Sequence, residues 1–141
     1  MALIMDVAAL TAFLASDFSE VADSFVVERA DTSGLDLRLK IDARHIRPGD
    51  TVSGPTIFAL ADVAVYLAIL SRIGPKALTV TTSASIDFLR KPEAGRDIIG
   101  TARILKLGRV LVVGEVLVYS DGVADPVARA SLTYSIPPVK T

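Results

Sequence analysis

The chain has no cysteine. That excludes disulfides, thiol nucleophiles and thiolate metal sites together. Histidine is nearly absent as well, with His45 alone among 141 residues. A histidine metal cluster is therefore not expected, nor a hydrolase built on several serine–histidine pairs. Neither sign of charge is in surplus: 15 basic and 16 acidic side chains leave a net charge of −1. The basic footprint of a nucleic-acid binder is missing. There is no low-complexity tract and no long internal repeat. The opening MALIMDVAALTAFLA is apolar but carries Asp6 and lacks a basic n-region, so no signal peptide is expected and a cytoplasmic location is the default.

What is present is apolar surface. Hydrophobic residues make up 51% of the chain, enough for a sizeable core in one domain spanning residues 1–141. They concentrate in SGPTIFALADVAVYLAILSRIGP, residues 53–75. Ser53 is a helix N-cap candidate, and Gly54-Pro55 supplies a turn and a helix-compatible first residue. From Ile57 to Leu70 only Asp62 and Tyr66 interrupt the apolar run, and Gly74-Pro75 provides the stop. A helix apolar all round is expected to be buried on all sides. The run falls short of the roughly 20 residues that a bilayer crossing takes, so no membrane partner is expected.

The remaining pattern is mostly strand. Asp6 to Ala15 reads as a short amphipathic helix, with Val7, Leu10, Leu14 and Phe18 at spacings of three and four. Residues 16–24 are polar and turn-like. Phe25 to Ala30 and Leu35 to Ile41 read as strands joined through the turn Asp31–Gly34, the second alternating cleanly between apolar and charged residues. Residues 42–52 form a polar loop into the long helix. After Pro75, four strands are predicted over 77–89, 96–107, 109–120 and 127–136. Gly108 marks a hairpin, and Pro126 marks the last strand as one that starts at an edge. Strands on either side of one apolar helix imply α+β, an antiparallel sheet wrapped around that helix.

Four segments in this order resemble the hotdog-fold thioesterases, in the branch of the phenylacetate-pathway and 4-hydroxybenzoyl-CoA enzymes: SGPTIFALAD (53–62), IDFLRKP (86–92), LKLGRVLVVGEV (105–116) and ARASLTYSIP (128–137). The likeness covers nearly the whole chain. It implies a hotdog fold and hydrolysis of an acyl-CoA or aryl-CoA thioester without metal or redox cofactor. It also implies sites shared between two subunits of a homodimer, often paired into a homotetramer.

By the same resemblance Asp62 occupies the position of the catalytic carboxylate. Gly54 matches the glycine before the helix, whose neighbouring N–H groups polarise the thioester carbonyl. Ser53 stands at the family's histidine and Pro55 at its second glycine. Proline has no N–H, so the oxyanion contact falls to Gly54, Thr56 or Ile57. Arg47 stands where relatives often carry Asn or Gln, and Tyr66 where they carry a small or hydroxyl residue. The run Thr81, Thr82 and Ser83 lies where the strand faces the neighbouring subunit's carboxylate. The charged CoA nucleotide calls for a basic rim, for which Arg44, His45 and Arg47, or Arg90 and Lys91, or Lys106 and Arg109 are candidates, with Arg90 and Arg109 favoured.

Bottom-up chemistry points to the same carboxylate. An Asp within an apolar helix is costly unless solvated, paired or functional. Desolvation makes it a better base, able to activate water against a carbonyl or to attack it directly. The alternative is an Asp satisfied by loop N–H groups or by Arg47. Tyr66, one turn on, bonds Asp62, narrows the acyl pocket, or is a core aromatic with its hydroxyl at the sheet edge. Ser53 reads as a cap, not a nucleophile, and His45 as a solvated loop residue. A non-catalytic acyl-CoA or lipid-binding protein is the rival reading, motivated by Pro55. A hotdog dehydratase would require His45 beside Asp62.

Overall fold

The computed structural model describes residues 3–138. The element order is α1 (Val7–Asp17), β1 (Phe25–Asp31), β2 (Gly34–Leu39), β3 (Ile46–Arg47), β4 (Thr51–Val52), α2 (Gly54–Ile73), β5 (Val80–Phe88), β6 (Ile98–Leu107), β7 (Leu111–Ser120) and β8 (Ala128–Ser135). Six strands form one sheet in the order β1-β2-β6-β7-β8-β5, and every pair is antiparallel. The expected α+β architecture is present.

Alternation sets the sheet's inner face. Leu35, Leu37 and Leu39 on β2, Ile98 and Ala102 on β6, Val112, Val116 and Val118 on β7, and Ala128, Ala130, Leu132 and Tyr134 on β8 are all buried. They face α2, which packs on β2, β6 and β7 and also touches β8 and β5. Two glycines let the helix lie close. A Cβ on Gly100 would come within 3.3–3.5 Å of Val116, Leu60 and Ala64, and one on Gly114 within 2.8 Å of Val65. Filling that floor forces helix and sheet apart. Gly114→Val is expected to destabilise the fold by about 1–3 kcal/mol, read as a lowered urea midpoint with an unchanged m-value.

Several expectations are corrected. The helix α2 is not wrapped on all sides: residues 64–71 are buried, but Pro55 and Ala59 are exposed and Thr56, Phe58, Asp62 and Val63 only half-buried. The open sheet ends at β5 and does not close over this half. The helix is also longer than the apolar run, at 20 residues, long and apolar enough to cross a membrane by length and composition alone. Its packing against the sheet is that of a core helix. The last strand is not an edge: β8 lies between β7 and β5. Pro126 precedes it by two residues and so deprives the ladder of no donor.

At the N-terminus, Asp6 caps α1, accepting from the Ala9 N–H at 2.9 Å, and the helix runs on to Asp17. The loop expected over 42–52 contains the two-residue ladder β3–β4. Those strands are too short for periodicity to reveal.

Candidate active site

The end of α2 is built by Ser53. Its backbone is extended (φ −71°, ψ 152°), its Oγ accepts from the Thr56 N–H at 3.3 Å, and its hydroxyl lies 2.7 Å from Thr56 Oγ1. The Ile57 N–H is spent on the Ser53 carbonyl at 3.1 Å. Pro55 has none to give. Of the first-turn donors, the Gly54 N–H alone has no hydrogen-bond partner among the described residues. That narrows the three expected oxyanion donors to one. The ring of Phe88, at the far end of β5, stands 3.4 Å from where a Gly54 Cβ would be.

Two turns further on, Asp62 is held by the sheet. Thr81 Oγ1 donates to Asp62 Oδ1 at 2.7 Å. The Tyr134 hydroxyl lies 2.5 Å from the same Oδ1 and 2.8 Å from the Asp62 carbonyl oxygen. Oδ2 has no partner among the described residues. Both hydroxyls come from one cross-strand pair, Thr81 on β5 opposite Tyr134 on β8.

A β-bulge makes this possible. The register shifts between Thr81 and Ser83, which leaves Thr82 as the extra residue. Counting inward from Ile86 and Ala84, unbroken alternation would turn Thr82 towards the helix; the bulge turns Thr81 there instead.

Thr81 bonds the Asp62 of its own chain. Thr82 Oγ1 reaches the Thr133 carbonyl at 3.2 Å, and Ser83 follows it on the exposed strand. Tyr66 does not bond Asp62; its hydroxyl donates to the Ala77 carbonyl at 3.0 Å. Its ring lies among those of Phe13, Phe18 and Tyr134. Burial, and then the negative charge of Asp17, push its phenol up to about 12.

His45 is covered, with 14% of its side chain exposed. Its Nδ1 accepts the Asp42 N–H at 2.9 Å, closing a capping box, and its carbonyl accepts the Ser53 N–H. It is thus a brace for the helix start. Among the described residues, no three His, Asp or Glu side chains are grouped to hold a metal ion.

The remaining basic candidates fall in two clefts. One, of about 640 Å³, lies at the start of α2 and brings together Arg47, Gly54, Phe88, Arg90 and Lys91. Arg90 Nε donates to the Pro126 carbonyl at 3.0 Å. The other, of about 790 Å³, holds Arg109 with Lys76, Ile73 and the β6–β7 hairpin. Ile73 and Gly54 are opposite ends of α2, roughly 28 Å apart at 1.5 Å per residue. One chain therefore does not unite Arg109 with Arg47 and Arg90.

An antiparallel sheet laid across one long central helix, with a short helix before it, is the architecture of a hotdog-fold protein. The chain belongs to the thioesterase superfamily, whose family model matches residues 49–126. It is similar to a candidate thioesterase from Silicibacter sp. TM1040, at 51% identity over 98% of this chain and 96% of that one, with a TM-score of 0.92. It is similar too to a point mutant of the phenylacetic acid degradation protein PaaI from Thermus thermophilus: 27% identity, 86% and 100% covered, TM-score 0.72. Zebra fish thioesterase superfamily member 2, at 22% identity with 94% and 99% covered and a TM-score of 0.81, shares the fold. No curated protein matches the sequence. The chemistry of this family is thioester hydrolysis.

Proposed function

We propose that this single-domain protein hydrolyses acyl-CoA or aryl-CoA thioesters, with Asp62 and Gly54 as its catalytic groups. The observation that carries the reading is the state of Asp62: Oδ1 is fixed by two hydroxyls while Oδ2 is unengaged. As a general base, Oδ2 removes a proton from water as that water adds to the thioester carbonyl. The Gly54 N–H, at the positive end of α2, stabilises the oxyanion. Collapse expels the CoA thiolate, which recovers the proton from Asp62, giving the free acid and CoA. As a nucleophile, Asp62 would instead form a mixed anhydride that water then opens. A single turnover in 18O-water that leaves label in Asp62 identifies the anhydride route, with water opening the anhydride at the Asp62 carbonyl.

The proposal includes a homodimer with shared sites. Gly54 and Asp62 of one chain are about 12 Å apart along α2. A carbonyl being attacked requires base and oxyanion donor each within about 3 Å of its reacting atoms. Asp62 of one protomer therefore works with Gly54 of its partner. The partner surface is β5, an edge strand exposed over nearly its whole length. In such an assembly Arg109 of one chain can join Arg47 and Arg90 of another around the CoA phosphates. Thr56 flanks the acyl group, Tyr66 backs the pocket from the core, and Ser53, Thr82 and Ser83 complete the rim. A homotetramer and a cytoplasmic location belong to the same reading.

The rival is a protein that binds acyl-CoA without cleaving it, favoured by the single donor left beside Pro55. Thiol release from acetyl-, hexanoyl-, dodecanoyl-, phenylacetyl- and 4-hydroxybenzoyl-CoA decides between them. Binding of any of these without free thiol above background would establish the rival.

A further inference from the structure

We propose that Tyr134 is a positioning residue for Asp62, its hydroxyl selecting Oδ2 as the oxygen that reacts. The proposal rests on the reading of Asp62 as the reactive carboxylate.

Tyr134 is the one polar side chain on the inner face of β8, after Ala128, Ala130 and Leu132, and is 2% exposed. A buried tyrosine hydroxyl needs a partner. Here the single hydroxyl proton is shared between two acceptors of Asp62, its carboxylate and its main-chain carbonyl. Gripping one residue at both points restricts rotation of the side chain that joins them. The ring cannot swing away, since Tyr66 stands behind it with centroids 6.0 Å apart, and Tyr66 is itself walled by Phe13 and Phe18. With Thr81 as the second donor, Oδ1 is occupied from two directions. Burial, reinforced by the bond to Asp62, drives the phenol far above its ordinary range, so it remains a donor at any working pH.

Tyr134→Phe keeps the ring and deletes the grip. The variant is expected to fold and to lose about 10- to 100-fold in kcat, the scale set by small misplacements of reacting groups. KM for the best substrate of the thiol-release panel should change little, because no substrate contact is removed. Incorporating 3-fluorotyrosine at position 134 keeps ring and hydroxyl and should retain the wild-type kcat. A purely structural tyrosine would lower the melting temperature and leave kcat unmoved.

Asp62→Asn separates the two claims. If it is inactive while Tyr134→Phe turns over like wild type, the positioning role is overturned and the role of Asp62 stands. If Asp62→Asn itself retains turnover, both fall. If both variants are impaired, adding Tyr134→Phe to Asp62→Asn should cost nothing further, because there is no longer a base to position.

Discussion

Asp62→Asn is expected to lower kcat for thioester hydrolysis by at least about 10³-fold while the protein remains folded. The magnitude is that of losing a positioned general base, or more if the carboxylate is the nucleophile. The variant is close to a pure test of chemistry. An Asn carbonyl can still accept from Thr81 and Tyr134, so the sheet's hold on α2 at this point survives. What disappears is the second oxygen's ability to take a proton or to attack. Thiol release measures the rate, and a melting curve with size-exclusion chromatography checks fold and assembly. Turnover within tenfold of wild type would remove Asp62 from the mechanism.

Two inactive variants are expected to restore activity to each other. Gly54→Pro deletes the first-turn N–H that has no partner among the described residues, at a helix position where proline is tolerated and after a residue whose backbone is already extended. Loss of an oxyanion donor should cost about 10²–10³-fold in kcat. In a heterodimer of Gly54→Pro with Asp62→Asn, one of the two shared sites keeps an intact Asp62 and an intact Gly54. Random pairing makes about half of the dimers mixed, so a co-refolded equal mixture should recover about a quarter of wild-type activity. The two parents should remain near background when assayed alone. A mixture no more active than the sum of its parents would mean that each site lies within one chain.

Much of this is legible in the sequence because the signals are local. Ser53, Gly54 and Pro55 read as a helix start from their own chemistry, and the cap is there at 3.3 Å. Asp62 stands out as the lone acid in an apolar run. The alternation of Leu35, Leu37 and Leu39 places β2 correctly. What fails depends on other parts of the chain. The bulge in β5 follows from how Thr81 and Ser83 pair with β8, and nothing in TTSAS announces it. Simple alternation therefore favours Thr82 where Thr81 makes the contact.

Tyr134 escapes a sequence reading for a related reason. In β8 it passes as one more inward residue, and its partner is 72 positions away. A signal does exist. A tyrosine on a strand's core face needs a partner for its hydroxyl, and α2 offers one carboxylate. The openness of the first half of α2 is illegible in a different way. Its apolar side chains are those of a core helix, and a single chain's sequence does not say whose surface completes the core.

The exposed strand β5 has a consequence for the newly made chain. Val80 and Phe88 at its two ends are 53% and 54% exposed. The backbone edge beyond β8 carries unpaired donors and acceptors along a nine-residue strand. Such an edge is a template for any extended segment that meets it. Left uncovered, it is sticky in the way that seeds misassembly in a crowded cell. Under the shared-site reading, pairing would hide that edge in the same step that completes the catalytic groups. Aggregation during synthesis and failure to assemble would then be two outcomes of one exposed strand.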